Sequence, residues 1–231
     1  MRHLFLLVLV TVAACDSSTT PAGPRYANAP QAGEKKVLYF AVHPLHNPKN
    51  LIQTYQPLLD KLNEQLHGVR LELEASRDYT VYEDKFRRRA PEFLLANPWQ
   101  TLEAIKVGYS VIAMAGDPAD FKGLILLRKD SDIKTVADLK GKEISYPSST
   151  AIAACIMPQF FLQSQGLDVM HETRNRYVGS QESSIMNVYL KQSSAGATWP
   201  PPWRAFQKDH PQEAAQLKVA WITDSLDRKS T

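Results

Sequence analysis

Apolar residues fall along this chain in two alternating rhythms. Residues 37–42 (VLYFAV) form a continuous apolar run of strand length, the pattern of a strand buried on both faces. A loop of His, Pro and Asn follows. Then Leu51, Ile52, Tyr55, Leu58, Leu59, Leu62 and Leu66 recur at helical spacing, and Gly68 is placed to cap that helix. Val69, Leu71, Leu73 and Ala75 alternate with Arg70, Glu72 and Glu74, as in a half-buried strand. A charged helix over 82–90 leads to a strand over 92–96. A helix from Pro98 to Gly108 comes next, followed by two apolar runs, 110–115 and 123–127.

The same alternation continues. The pattern predicts a short helix over 132–140, a strand over 141–145 and a helix from near Ser149 to Gln165, closed by Gly166. A strand at 176–178, a helix over 181–191 and a strand over 195–198 follow. The three prolines 200–202 are expected to break the chain before a helix over 203–208. A last strand is predicted at 217–222. The repeated β-α order argues for an α/β protein with mainly parallel sheets.

Composition narrows the function classes. The chain has 231 residues, 44% hydrophobic and 22% charged, which excludes a disordered tail and a membrane channel. Its 27 Lys+Arg against 24 Asp+Glu give a formal charge of only +3, no footprint for nucleic acid. Two cysteines, Cys15 and Cys155, exclude a disulfide scaffold and a multi-cysteine metal site. No dinucleotide fingerprint, P-loop, nucleophile elbow or HExxH motif is present.

The first residues read as an address. Arg2 and His3 precede a short apolar run, which stops at Val-Ala-Ala-Cys15. The run is far below the roughly 20 apolar residues of a spanning helix. It fits a signal peptide over 1–14, with Cys15 placed as in a bacterial lipobox for lipidation. The alternative is an ordinary secretory signal with a chance cysteine. Asp16 after the cysteine resembles an inner-membrane retention signal. Residues 15–35 then form a lipidated, flexible tether rich in Ser, Thr, Pro and Ala. Cys155, in an Ala-Ala-Cys-Ile-Met context, reads as a small buried hydrophobe.

Two segments carry candidate binding chemistry. Ser148, Ser149 and Thr150 lie between a predicted strand and a predicted helix. Hydroxyls and free N–H groups at a helix start attract an anion, although Ser and Thr also cap helices with no ligand involved. Gly179, Ser180, Gln181 and Glu182 repeat the arrangement. Glu182 either compensates the helix dipole or accepts a proton from a mono-protonated oxyanion. His43 and His46 follow the first strand, where loops line the ligand crevice of open α/β sheets. Two histidines without a third ligand nearby make a poor zinc site, and a cleft-lining role suits them better. Arg87, Arg88 and Arg89 read as a solvated face. Trp99, Trp199 and Trp203 read as packing residues or hinge anchors.

Six segments together carry a resemblance. They are AVHPLHNP (41–48), LEASRDYTVYE (73–83), LLANPWQTLEAI (94–105), DLKGKEISYPSSTA (138–151), YVGSQESSIMNVYL (177–190) and GATWPPPWRAFQKDHPQEAAQL (196–217). In this order they resemble the periplasmic phosphate/phosphite/phosphonate-binding proteins of ABC importers, over roughly residues 36 to 222. The resemblance implies a two-lobed type II periplasmic binding protein fold with a central cleft. It implies lobe 1 over 36–116, lobe 2 over 117–222 and an incomplete return towards lobe 1 over 223–231. Family members continue past this last strand, so a first lobe with exposed apolar surface is expected.

The resemblance also assigns the site. The anion would sit on the hydroxyls and N–H groups of Ser148, Ser149 and Thr150. Tyr79 matches a tyrosine after the second strand, Gln181 stands where a histidine often stands, and Glu182 follows it. Gln100 and Thr101 occupy the place of a first-lobe tyrosine, and Ala151 that of a further hydroxyl. His43 and His46 would line the first-lobe side. The expected activity is capture of a phosphate-like oxyanion for an inner-membrane ABC permease, at the periplasmic face and without catalysis, cofactor or metal. The rival readings are a sensor module for a membrane signalling protein, a hydrolase using the two histidines, and a non-functional remnant.

Overall fold

The computed structural model describes residues 35–225. The expected leader, Cys15, the tether as far as residue 34 and the end of the chain from 226 lie outside the described residues. Among the described residues no helix is long and apolar enough to cross a membrane.

The first half builds a three-stranded parallel sheet in the order β2-β1-β3. Its strands are β1 (Lys36–Val42), β2 (Val69–Ala75) and β3 (Phe93–Leu95). Helices α1 (Pro48–Asn63), α2 (Tyr79–Arg87) and α3 (Pro98–Lys106) follow the three strands in turn. Each helix starts on a side-chain cap: Asn47 for α1, Asp78 for α2 and Asn97 for α3. These caps satisfy N–H groups that the helices leave free. Because the strands run parallel, all three helix starts gather at the C-terminal edge of the sheet. Ligands bind along that edge in open α/β folds. Of α1, only Leu51 and Leu59 are buried, and Ile52, Leu58 and Leu62 stand exposed. Leu102 and Ile105 of α3 are exposed as well.

The second half builds a five-stranded sheet in the order β6-β5-β7-β4-β8. Strands β5 (Glu143–Tyr146), β6 (Arg174–Tyr177) and β7 (Ala195–Thr198) run parallel. Strand β4 (Leu124–Arg128) pairs antiparallel with β7 and with β8 (Leu217–Ile222). The second sheet is therefore mixed and the first wholly parallel, so the strands are mainly parallel. Of the two apolar runs after α3, only the second becomes a strand. Val111 and Ile112 of the first are exposed. Helices α4 (Met157–Ser164), α5 (Gln181–Tyr189), α6 (Pro200–Asp209) and α7 (Pro211–Ala214) complete this half.

Three local expectations are corrected. The helix predicted from Ser149 opens later, as a π-turn over Ile152–Ile156 that runs into α4. Ser148 Oγ accepts from Thr150 N at 3.2 Å and Ala151 N donates to Ser148 O, so the serine holds a local turn instead of a cap. Pro158 has no N–H to give to the first α-type bonds. The prolines 200–202 do not break the chain but form the first turn of α6, where N–H groups lack intrahelical partners anyway. The charged helix starts at Tyr79, three residues earlier than its charges suggest, because Asp78 caps it.

The two halves share apolar packing through Trp199 and Tyr79. Trp199, just before α6, packs both on the large core of the second half and on the cluster of Val42, Leu45 and Leu51 in the first. Tyr79 of α2 likewise belongs to the second half's core.

Candidate functional site

The helix starts of the two halves face each other, and side chains bridge the seam between them. Tyr79, the first residue of α2, is 3% exposed. Its hydroxyl accepts a hydrogen bond from Gln181 Nε2, at the first position of α5, at 3.3 Å. Gln181 is itself buried, and its Oε1 accepts from Thr198 Oγ1 at 3.0 Å. Burial pushes the Tyr79 phenol well above its ordinary pKa, so it stays a neutral donor-acceptor. Gly179, with φ of 87°, takes a left-handed turn between β6 and α5 that a side chain would disfavour.

The hydroxyl turn after β5 meets the first half as well. Ser148 and Thr150 are half-buried and Ser149 is exposed. Thr150 O accepts from Asn97 Nδ2 at 3.2 Å. Thr150 Oγ1 lies 3.0 Å from Ser148 Oγ and donates to Glu83 Oε1 at 2.7 Å. Glu83 is 7% exposed, and its other oxygen takes Arg87 Nη2 at 3.1 Å. Arg87 is therefore half of a partly buried pair and not only a solvated charge. Gln100 is fully buried and forms a reciprocal capping box with Asn97. That box uses Gln100 Oε1, which turns Nε2 towards Glu83 Oε1 at 3.4 Å.

His43 lines this cluster from the end of β1. Its Nδ1–H donates to Leu95 O at 2.9 Å, and its ring lies edge-on to Tyr79 and Tyr82. Burial drives its pKa down to about 4, so the ring is neutral at neutral pH. The structure thus gathers Tyr79, Gln100, Ser148, Thr150, Gln181 and His43 around one seam.

It sends Glu182 and His46 elsewhere. Consecutive helix residues point about 100° apart, so Glu182 cannot share Gln181's direction. Glu182 Oε2 instead accepts from Asn47 Nδ2 at 2.8 Å, and Oε1 lies 3.6 Å from His210 Nε2. His46 joins Glu182, His210 and Asp209 around a small hollow between α1 and α6. Burial lowers the His46 pKa, against the pull of Glu182 and Asp209.

Glu83, Asn97 and Thr198 are the seam residues that the sequence reading passed over. Glu83 carried a visible signal. It occupies the buried face of α2 with Tyr79, Tyr82 and Phe86, at i, i+3, i+4 and i+7 spacing. A carboxylate on an otherwise apolar stripe has to find partners. Ser76, at the C-terminal end of β2, also has a buried hydroxyl without a partner among the described residues.

Comparison with known proteins identifies the family. The family model for the ABC transporter phosphonate periplasmic substrate-binding protein matches residues 40–230. A probable ABC transporter phosphite binding protein from Prochlorococcus marinus (strain MIT 9301) is 24% identical over 121 residues, which cover 49% of this chain and 41% of that relative. The match thus spans well under two thirds of the relative's length. Among solved structures, a binding protein component of an ABC phosphonate transporter from Pseudomonas aeruginosa superposes with a TM-score of 0.73 at 19% identity. That superposition covers 84% of this chain and 67% of the other. PhnD1 from Prochlorococcus marinus, in complex with methylphosphonate, gives a TM-score of 0.72 at 22% identity, covering 82% of this chain and 73% of the other. At these identities the superpositions speak for the type II periplasmic binding protein fold. With the family model matched along nearly the whole described body, the chain belongs to the periplasmic substrate-binding proteins of phosphonate ABC transporters.

Proposed function

We propose that this protein captures a small phosphonate-type oxyanion, with phosphite and phosphate as close variants, and presents it to an ABC permease. The supporting observation is the seam, where Asn97 and Glu83 of the first half bond the hydroxyl turn after β5 and Gln181 bonds Tyr79. Tyr79 and Gln100 come from the first half, and Ser148, Ser149, Thr150 and Gln181 from the second. Such groups, together with free N–H groups near a helix start, hold an oxyanion without burying a matching cation. Ligand between the halves would favour the closed arrangement, and the closed form is what a permease recognises. The protein binds and does not catalyse.

The lobe division near residues 116–117 belongs to this reading. So do lipidation of Cys15 after removal of 1–14, the tether to residue 35, and residence at the periplasmic face of the inner membrane. Glu182 and His46 take a rim role on the outer side of the seam. There the contact of Glu182 with Asn47 ties α5 to α1 when the halves are together.

The experiment is a thermal unfolding scan of the full chain against phosphate, phosphite, methylphosphonate, aminoethylphosphonate and sulfate. A ligand at 100 times its dissociation constant stabilises the native state by about 2.7 kcal/mol. For a protein of this size that is a rise of roughly 5–10 °C in Tm. A rise with one phosphorus oxyanion and none with sulfate is expected. Indifference to all five removes the proposal.

A further inference from the structure

The hydroxyl turn after β5 already holds a carboxylate, and that carboxylate belongs to the chain itself. Thr150 Oγ1–H donates to Glu83 Oε1 at 2.7 Å, across the seam to α2. The other donors of the turn are spent within it. A threonine hydroxyl has one proton and Glu83 takes it, so Ser148 Oγ–H is the donor in the 3.0 Å contact with Thr150 Oγ1. Thr150 N–H goes to Ser148 Oγ at 3.2 Å, and Ala151 N–H goes to Ser148 O. Asn97 Nδ2, from the first half, donates to Thr150 O at 3.2 Å. With the halves together, the hydroxyls of Ser148 and Thr150 therefore have no proton to offer an incoming oxyanion.

Glu83 can give up this contact without being stranded. Its Oε2 accepts from Arg87 Nη2 at 3.1 Å, one turn further along α2, and Gln100 Nε2 lies 3.4 Å from its Oε1. The Arg87 side chain is 41% exposed, so it can move outward with the carboxylate. A carboxylate that loses Thr150 keeps a guanidinium and an amide, which avoids the large cost of an unpaired buried charge.

This inference rests on the oxyanion reading above. We propose that Glu83 is a built-in stand-in for the ligand: its carboxylate takes the hydroxyl turn when the halves come together unliganded, and an external oxyanion has to displace it. The contact is autoinhibitory, because it uses the donor that the ligand needs. It also accounts for a seam that is packed shut around Glu83, which is 7% exposed. The ligand's route is the parting of the halves, which breaks the contacts of Thr150 with Glu83 and with Asn97 together. A hydrogen bond to a charged group corresponds to about 10- to 100-fold in affinity. A chain that must give one up before binding has its apparent affinity reduced by the fraction of molecules that have done so.

The test is calorimetric titration of the full chain with methylphosphonate, paired with small-angle scattering with and without that anion. Glu83→Gln removes the charge. Glu83→Asp keeps the charge but is one methylene short of Thr150. Both variants should bind methylphosphonate more tightly than wild type, by about tenfold or more. Ligand-free wild type should have the radius of gyration of its liganded form. Both ligand-free variants should be larger and should contract on binding. Unchanged or weaker binding by the variants overturns the proposal and leaves the oxyanion reading standing. Tighter binding by Glu83→Gln alone does the same, since it marks simple charge repulsion. A ligand-free wild type as expanded as the variants also overturns the stand-in role. Failure of all three chains to bind methylphosphonate, phosphite and phosphate overturns the oxyanion reading and this proposal with it. Should Glu83→Gln fail to fold, Glu83→Asp and the wild-type scattering decide by themselves.

Discussion

Gln181 Nε2 donates to the Tyr79 hydroxyl at 3.3 Å, joining the first residue of α5 to the first residue of α2 across the seam between the two sheets. Both side chains are nearly free of solvent, so neither can fall back on bulk water without the halves moving apart. The pair makes the state of the seam measurable.

Tyr79→Phe removes the acceptor and keeps the ring. A buried donor left without a partner costs about 1–3 kcal/mol. The expected outcome is a fall of that size in urea stability with an unchanged m-value, together with weaker oxyanion binding. An unchanged midpoint would mean that water reaches Gln181 in solution.

Gly196, in the middle of β7, lies under α5. A Cβ there would stand 2.7 Å from Ser184 O and 2.8 Å from Ser145 Oγ. One neighbour is a backbone oxygen and the other belongs to a fully buried serine, so the helix has to lift. Gly196→Ala should destabilise by about 1–3 kcal/mol, as overpacking does. Because α5 carries Gln181, ligand affinity should fall as well. Thermal melts with and without ligand check both effects.

His43 ties stability to pH. Its folded pKa is about 4 against an ordinary 6.5, because burial disfavours the charged ring. Between those values the unfolded chain binds a proton that the native state does not, so stability rises with pH in that window. The contribution is fully present above pH 6.5 and is lost as pH falls towards 4. It amounts to about 3 kcal/mol. Urea midpoints at pH 7, 5.5 and 4.5 should show the decline, and His43→Gln should flatten it.

Cys155 is fully buried, and burial pushes its thiol up to about 12. Thiolate is the reactive form, so the native protein should leave this residue unmodified by a thiol reagent until denaturant is added. Mass mapping of the peptide that contains it distinguishes this from labelling at Cys15. Fast labelling under native conditions would show that the core around Tyr146 and Tyr79 opens readily.

Strands β2, β7 and β8 stand where their patterns put them, at Val69–Ala75, Ala195–Thr198 and Leu217–Ile222. Alternation and short apolar runs are local properties, and a strand's faces are written in two-residue steps. The helix starts near Pro98 and Gln181 were legible for a similar reason, since capping chemistry lies within three or four residues. The turn at Ser148 to Thr150 was legible as chemistry but not as shape. A serine that can cap a helix can also bond its own neighbours, and the choice depends on what Pro158 forbids further on.

The pairing across the seam was not legible. Thr150 meets Glu83 across 67 residues, and Gln181 meets Tyr79 across 102. Nothing local distinguishes Gln181, which turns inward, from Glu182, which turns to Asn47 and His210. The sequence by itself determined an α/β chain, its family and the hydroxyl turn that carries the candidate site, because periodicity, capping and motif order act over short stretches of chain. Only the tertiary structure decided which carboxylate joins that turn. That choice follows from which faces two separately built sheets bring together, and a buried charge must find its partners there.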